Sequence, residues 1–257
     1  MNEPTPELPS AAASDFPPRV GLLACEVFAR EIGIAEAESG ARILCRKMFE
    51  IGLHDRPDVL RATLQESVDS MDEEAGLDAV VLAYGLCGLG TAGLRAGRHP
   101  LVIPRAHDCI TVLLGSKESY ARRQRECPGC FYYTPGWNRA RRVPGPEREA
   151  ALRAEFAARF DPEDVEFLLE SEKSLWASYH TSTYIRGGTA EDEAESAYTR
   201  RCASALGWRF EEIEGNTRLL CDLLRGPWDE SRFQIVPPGA MLGHSTDEAI
   251  MKTIPPK

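Results

Sequence analysis

The chain lacks any apolar run approaching the 20 or so residues that a membrane-crossing helix needs, so a bilayer-spanning segment is not expected. Positive charge is also in deficit: 30 Lys and Arg face 40 Asp and Glu, leaving a formal charge of -10. A surface of that sign repels nucleic acid and anionic lipid headgroups, so neither nucleic acid nor a membrane is expected as a partner. A small-molecule substrate is the remaining expectation. The opening MNEPTPELPSAAASDFPPR has neither the basic nor the apolar stretch of an export signal. Residues 1–18 therefore read as a disordered tail, and the expected location is the cytoplasm.

Several catalytic signatures are missing as well. No G-x-S-x-G elbow marks a serine hydrolase. GSKESY (115–120) does not have the spacing of a phosphate-binding Walker loop. GLCGLGTAG (85–93) is followed by no acidic residue where a dinucleotide fold would place one. Cys127 and Cys130 form a CxxC with no second CxxC to complete a zinc knuckle. The pair also precedes an aromatic stretch rather than opening a helix as redox pairs do, so its role stays open.

What is present is 257 residues with 43% hydrophobic content, enough for a core that needs no disulfides. The eight cysteines, without an export signal, are expected to be mostly reduced. RVGLLAC (19–25) is a continuous apolar run suited to a buried parallel strand, and 26–39 carries helical spacing up to Gly40. Alternation over 41–54 predicts a second strand. Residues 55–75 predict a helix with Pro57 in its first turn and Val59, Leu60, Leu64 and Val68 on one face. Strands follow at 77–88 and 99–109, then a helix over 110–126 broken near Gly115. Residues 127–146, rich in Pro, Gly and aromatics, read as a functional loop or lid. Helices are predicted at 146–160, 162–179 and 190–206, with a final strand, helix and strand over 208–239.

Such alternation defines an α/β fold with a mostly parallel, Rossmann-like sheet, helices on both faces, and a helical C-terminal half adding one or two strands. The expected organisation is a single α/β domain over 19–245, with 146–245 as a candidate second lobe and 246–257 as a tail.

Open parallel sheets bind ligands at the carboxyl ends of their strands. Those ends carry Cys25 and Glu26, then His54, then Cys87, then His107, Asp108 and Cys109. Cys25, Cys87 and Cys109 with His54 or His107 would supply enough soft ligands for zinc or iron, an iron-sulfur cluster included. Glu26 or Asp108 would orient a ligand or move a proton. Gly85 and Gly88 would let backbone approach a ligand, Ser116 would offer an anion site at a helix start, and Tyr133 and Trp137, with Tyr132, would line a pocket. Ordinary roles compete: buried apolar cysteines, a histidine bonded to a carbonyl, and His107 with Asp108 capping a helix. A metal-free alternative makes Cys109 a nucleophile with His107 as its base.

The pieces ACE (24–26), GLHDRP (52–57), YGLCGLG (84–90), IPRAHDCITVLLGSKESY (103–120), YYTPGW (132–137), RLLCDLLRGPW (218–228) and VPPG (236–239) resemble, in this order, a bacterial and archaeal family called domain of unknown function 1638. The resemblance runs from about Val20 to Gly239 and leaves out Cys127 and Cys130. It implies no settled activity. Members occur beside trimethylamine-type methyltransferases and corrinoid proteins, which implies corrinoid-linked one-carbon chemistry, with a corrinoid as cofactor or a corrinoid protein or methyltransferase as partner. A non-catalytic carrier of a corrinoid or a metal for such a methyltransferase is the rival expectation.

Overall fold

The computed structural model describes residues 17–140 and 143–256, so most of the 1–18 tail lies outside the described residues. β1 (Arg19–Cys25) is buried from Val20 onward, the pattern of a strand covered on both faces. A 3-10 turn (Glu26–Phe28) leads into α1 (Ala29–Ser39), which Gly40 ends in the left-handed conformation. β2 (Arg42–Phe49) alternates as expected, but the last part of the predicted strand instead forms a 3-10 turn at Leu53–Asp55. In α2 (Pro57–Met71) the buried stripe is Leu60, Leu64 and Val68, while Val59 faces solvent because it lies about 100° away around the helix.

β3 (Ala79–Ala83) and β4 (Leu101–Pro104) are entirely buried. α3 (Cys109–Leu113) and α4 (Lys117–Glu126) flank the break at Gly115. The predicted lid is in part regular structure: β5 (Cys130–Tyr133) and α5 (Pro135–Arg139) lie within it, although residues 141–142 fall outside the described residues. Four-residue strands carry no readable period, and β5 owes its existence to a partner far along the chain. α6 (Pro146–Ala157), α7 (Pro162–Ser174), β6 (Thr181–Arg186), α8 (Asp192–Leu206), β7 (Arg209–Glu214), α9 (Arg218–Arg225), β8 (Phe233–Val236), β9 (Met241–His244) and β10 (Met251–Ile254) complete the order.

The main sheet runs β2-β1-β3-β4-β8, parallel except for β8, which pairs antiparallel with β4. A second, wholly parallel sheet runs β5-β6-β7, and β9 with β10 forms an antiparallel pair. The fold is therefore a mostly parallel, Rossmann-like α/β architecture. Residues 246–257, expected as a tail, carry β10, with Met251 only 1% exposed. Arg105 reaches across to this segment and donates to the carbonyls of Ala249 and Met251 at 2.8 and 2.7 Å. Among the described residues, no helix is long and apolar enough to cross a membrane.

The two parallel sheets meet where α5 packs on the 3-10 turn that follows β1. A β-carbon on Gly136 would overlap the Val27 carbonyl oxygen and lie 2.9 Å from the Val27 Cα, so only glycine permits this approach. Gly136→Ala is expected to lower unfolding free energy by about 1–3 kcal/mol, read from urea denaturation. Wild-type stability in that variant would show that the contact is not needed.

Candidate thiol-rich cavity

Parallel pairing of β1, β3 and β4 brings their carboxyl ends to one edge, where a cavity of about 560 Å³ opens. Its first wall carries Cys25, His54, Tyr84, Cys87, Asp108 and Cys109, and its second wall Tyr120, Cys130, Tyr132, Trp137, Trp176 and Tyr179. The volume suits a small organic ligand.

The turn after β3 determines how Cys87 is presented. Beyond the last β3 residue, Leu86 N–H donates to Ala106 O at 2.9 Å and Cys87 N–H to His107 O at 3.0 Å, prolonging the pairing with the chain after β4. A β-carbon at Gly85 would sit 2.8 Å from Asp108 N, which makes glycine necessary there. Buried Thr91 closes the turn by donating its hydroxyl to Gly85 O at 3.0 Å. The chain is thereby forced into left-handed backbone at Cys87 (φ 46) and Leu89 (φ 68). Each such non-glycine residue costs roughly 1–2 kcal/mol.

Burial holds all three sulfurs protonated. It pushes the Cys25 thiol up to about 11 and the Cys87 thiol up to about 12, against an ordinary 9.0, and the Cys109 thiol well above that. The Asp108 carboxylate adds to the rise at Cys109 and Cys87, and charge on Cys87 or Cys25 disfavours charge on Cys109. The three sulfurs are thus within electrostatic reach of one another. One opposing influence is the Trp137 indole, which donates Nε1–H to Cys109 Sγ at 3.4 Å. The same indole meets the His54 ring edge-on at 5.5 Å.

The other expected residues divide. His54 lines the cavity, beside Asp55 with Nε2 3.5 Å from its carboxylate. Gly88 lines it in left-handed backbone. Asp108 lines it too, but mainly as the cap of α3, with Oδ1 accepting from Thr111 N at 2.9 Å and from its hydroxyl at 3.1 Å. Tyr120 donates its hydroxyl to Asp108 Oδ2 at 3.3 Å.

Five residues do not line the cavity: Gly85, expected to let backbone approach a ligand, instead packs against the Ala106 and Asp108 backbone, and four others lie elsewhere. His107 is exposed with its ring against Tyr120 at 6.1 Å; two residues on, Cys109 already opens α3, so the extended alternation that would put both side chains on one side has ended. Glu26 is exposed at the start of the 3-10 turn. Ser116 caps α4, accepting from Ser119 N at 3.1 Å, and lines a separate small pocket with Arg105 and Lys117. Tyr133 is fully buried in the core beneath the second sheet and donates to Pro144 O at 2.8 Å, because alternation along β5 turns Tyr132 to the cavity instead.

Tyr84, Tyr120, Trp176, Tyr179 and Cys130 were not singled out as site residues. Tyr84 stands beside the glycine turn and was legible; Trp176 and Tyr179 follow a helix end and become neighbours of the cavity only through tertiary packing. Among the described residues, no three His, Cys, Asp or Glu side chains stand ready as a metal-ligating group. The donor set itself, three thiols with an imidazole on the same wall, is chemically suited to a soft metal ion.

The raised thiols give a pH dependence with a definite sign. An unfolded chain releases these protons from about pH 9, whereas the folded chain keeps them to about 11 at Cys25 and about 12 at Cys87. The unfolded state therefore binds fewer protons in that window, and stability falls as pH rises through it. Urea midpoints are expected to decline between about pH 8 and about pH 11, less steeply in Cys25→Ser. Equal slopes in the two proteins would remove Cys25 from the titration.

A family model described as a protein of unknown function, DUF1638, matches residues 48–224, a narrower span than the sequence pieces suggested, leaving Cys25 and Glu26 outside it. No curated protein and no solved structure matches the chain. With most of its length matched, from the end of β2 to α9 and including Cys87, Cys109 and the second sheet, the chain belongs to the DUF1638 family.

Proposed function

We propose that this cavity binds a soft metal ion, zinc or iron, on Cys25, Cys87 and Cys109, with a small-molecule substrate in the remaining space. The observation that carries this reading is the left-handed backbone at Cys87. Strained non-glycine backbone clusters at functional sites, and the Cys87 side chain, unlike the exposed Leu89 of the same turn, lines the cavity. Binding would draw the three sulfurs together by rotation about single bonds, since each cysteine has one side-chain torsion to adjust. The ion would displace the thiol protons that burial retains, and His54 would be the nearest imidazole on the same wall.

When bound, the metal would supply Lewis acidity or hold a substrate thiol as thiolate. Accepting a methyl group is a reaction that such a thiolate serves, and a corrinoid-bearing partner is the donor that the family resemblance implies. The chain's own residues would do the rest. Trp137 would orient Cys109 through its indole N–H, the tyrosines around the cavity would exclude water, and Asp108 would hold the Tyr120 hydroxyl.

A metal-free nucleophile is less well supported. His107, the base that Cys109 would need, faces solvent and does not line the cavity.

Elemental analysis of anaerobically purified protein, joined to cobalt(II) titration followed by thiolate-to-metal absorption, tests the proposal. Wild type is expected to carry zinc or iron, while Cys87→Ser and Cys109→Ser keep their circular dichroism and lose about tenfold or more in metal affinity. Metal at background level in wild type, together with no cobalt band, would overturn the reading.

A further inference from the structure

The CxxC is not absorbed by that reading. Cys127 closes α4 and Cys130 opens β5, and the four residues Cys127, Pro128, Gly129 and Cys130 form a turn in which Cys130 N–H donates to Cys127 O at 3.3 Å. A turn with this bond holds its end Cα atoms within about 7 Å, the range in which a disulfide closes without moving backbone. The turn is fixed in place. Gly129 O accepts from His180 N at 2.9 Å and Thr181 N at 3.2 Å, and a β-carbon on Gly129 would lie 2.8 Å from Ser178 O.

Burial raises the Cys130 thiol, and the neighbouring Cys127 adds to the rise. Cys130, 5% exposed, lines the cavity with Pro128; Cys127, 3% exposed, does not line it, and the Arg209 guanidinium donates to its sulfur at 3.9 Å. Redox CxxC pairs commonly borrow a helix N-terminus to stabilise a thiolate; here the pair follows a helix, and the nearby cation is Arg209.

We infer that Cys127 and Cys130 are a redox-active dithiol that exchanges with a low-molecular-weight disulfide admitted to the cavity. Cys130, the sulfur within reach, loses its proton and attacks one sulfur of the small disulfide RSSR. The S–S bond breaks, and the first RS⁻ leaves and takes up that proton as RSH. Cys127 then attacks the Cys130 sulfur of the mixed disulfide and expels the second RS⁻, which takes the Cys127 proton. Two protein thiols are oxidised to one disulfide, and RSSR is reduced to two RSH. In reverse, RSH gives up its proton and attacks the Cys130 sulfur of the disulfide, and Cys127 departs as the thiolate facing Arg209 and takes that proton. A second RSH then attacks the R-bearing sulfur of the mixed disulfide, releasing RSSR and leaving its proton on Cys130. Neither direction requires a metal on the other three cysteines.

The test uses the full chain in buffers of stepped reduced and oxidised glutathione, with alkylation and mass spectrometry of the tryptic peptide from Glu126 to Arg139, which carries both sulfurs. The expected result is an internal disulfide, seen as loss of two hydrogens and of both alkyl groups in one transition. Cys127→Ser is expected to trap glutathione on Cys130. Cys130→Ser is expected to leave Cys127 unmodified, because Cys127 does not face the cavity. Arg209→Met is expected to slow opening of the internal disulfide by reduced glutathione about fivefold, through loss of a charge-assisted bond to the departing thiolate. The inference is overturned if folded wild type keeps both thiols reduced at the most oxidising ratio, or if oxidation joins Cys25, Cys87 and Cys109 instead. Metal content in Cys127→Ser separates the two proposals, since the dithiol can exchange whether or not the other site binds metal.

Discussion

Close backbone contact at Gly85 is the constraint from which the cavity follows. It allows the chain after β3 to keep hydrogen bonding to the chain after β4 beyond the last strand residues, so that Cys87 and Cys109 end beside each other. β1, paired to β3 on the other side, delivers Cys25 to the same edge. The second close contact, Gly136 on Val27, then sets the far wall and places the Trp137 indole on Cys109. A β-carbon at either glycine would push apart surfaces that must touch for the sulfurs to share one space.

Electrostatically, the thiols and phenols of the wall stay neutral. Cys25, Cys87 and Cys109 are all kept protonated by desolvation, and burial likewise raises the Tyr84 and Tyr120 hydroxyls. Asp55 and Asp108 bring negative charge to the wall's margin. The sulfur-rich and aromatic part of the lining favours polarizable ligands.

The first sheet was legible because strands buried on both faces read as unbroken apolar runs, as in VGLLA and AVVLA, and because strand ends in such sheets meet at one edge. That rule found Cys25, Cys87 and Cys109. It overreached at His107 and Glu26, since a strand-end position does not reveal which side a side chain takes. The second sheet was only partly legible. Thr181, Ser182 and Thr183 of β6 are fully buried yet polar, so no hydrophobic pattern announces the strand. β10 failed for a related reason: four residues held by the Arg105 guanidinium rather than by a long apolar face leave little trace in sequence. Trp176 and Tyr179 could be placed at the cavity only by knowing how α7 packs.

The left-handed backbone at Cys87 also bears on how the family can change. Glycine would occupy that conformation with less strain, so drift toward it gains folding stability. A lineage that retains sulfur there resists an easy substitution. Among family members, retention or loss of cysteine at this one position would therefore bear on the proposed metal site independently of the architecture.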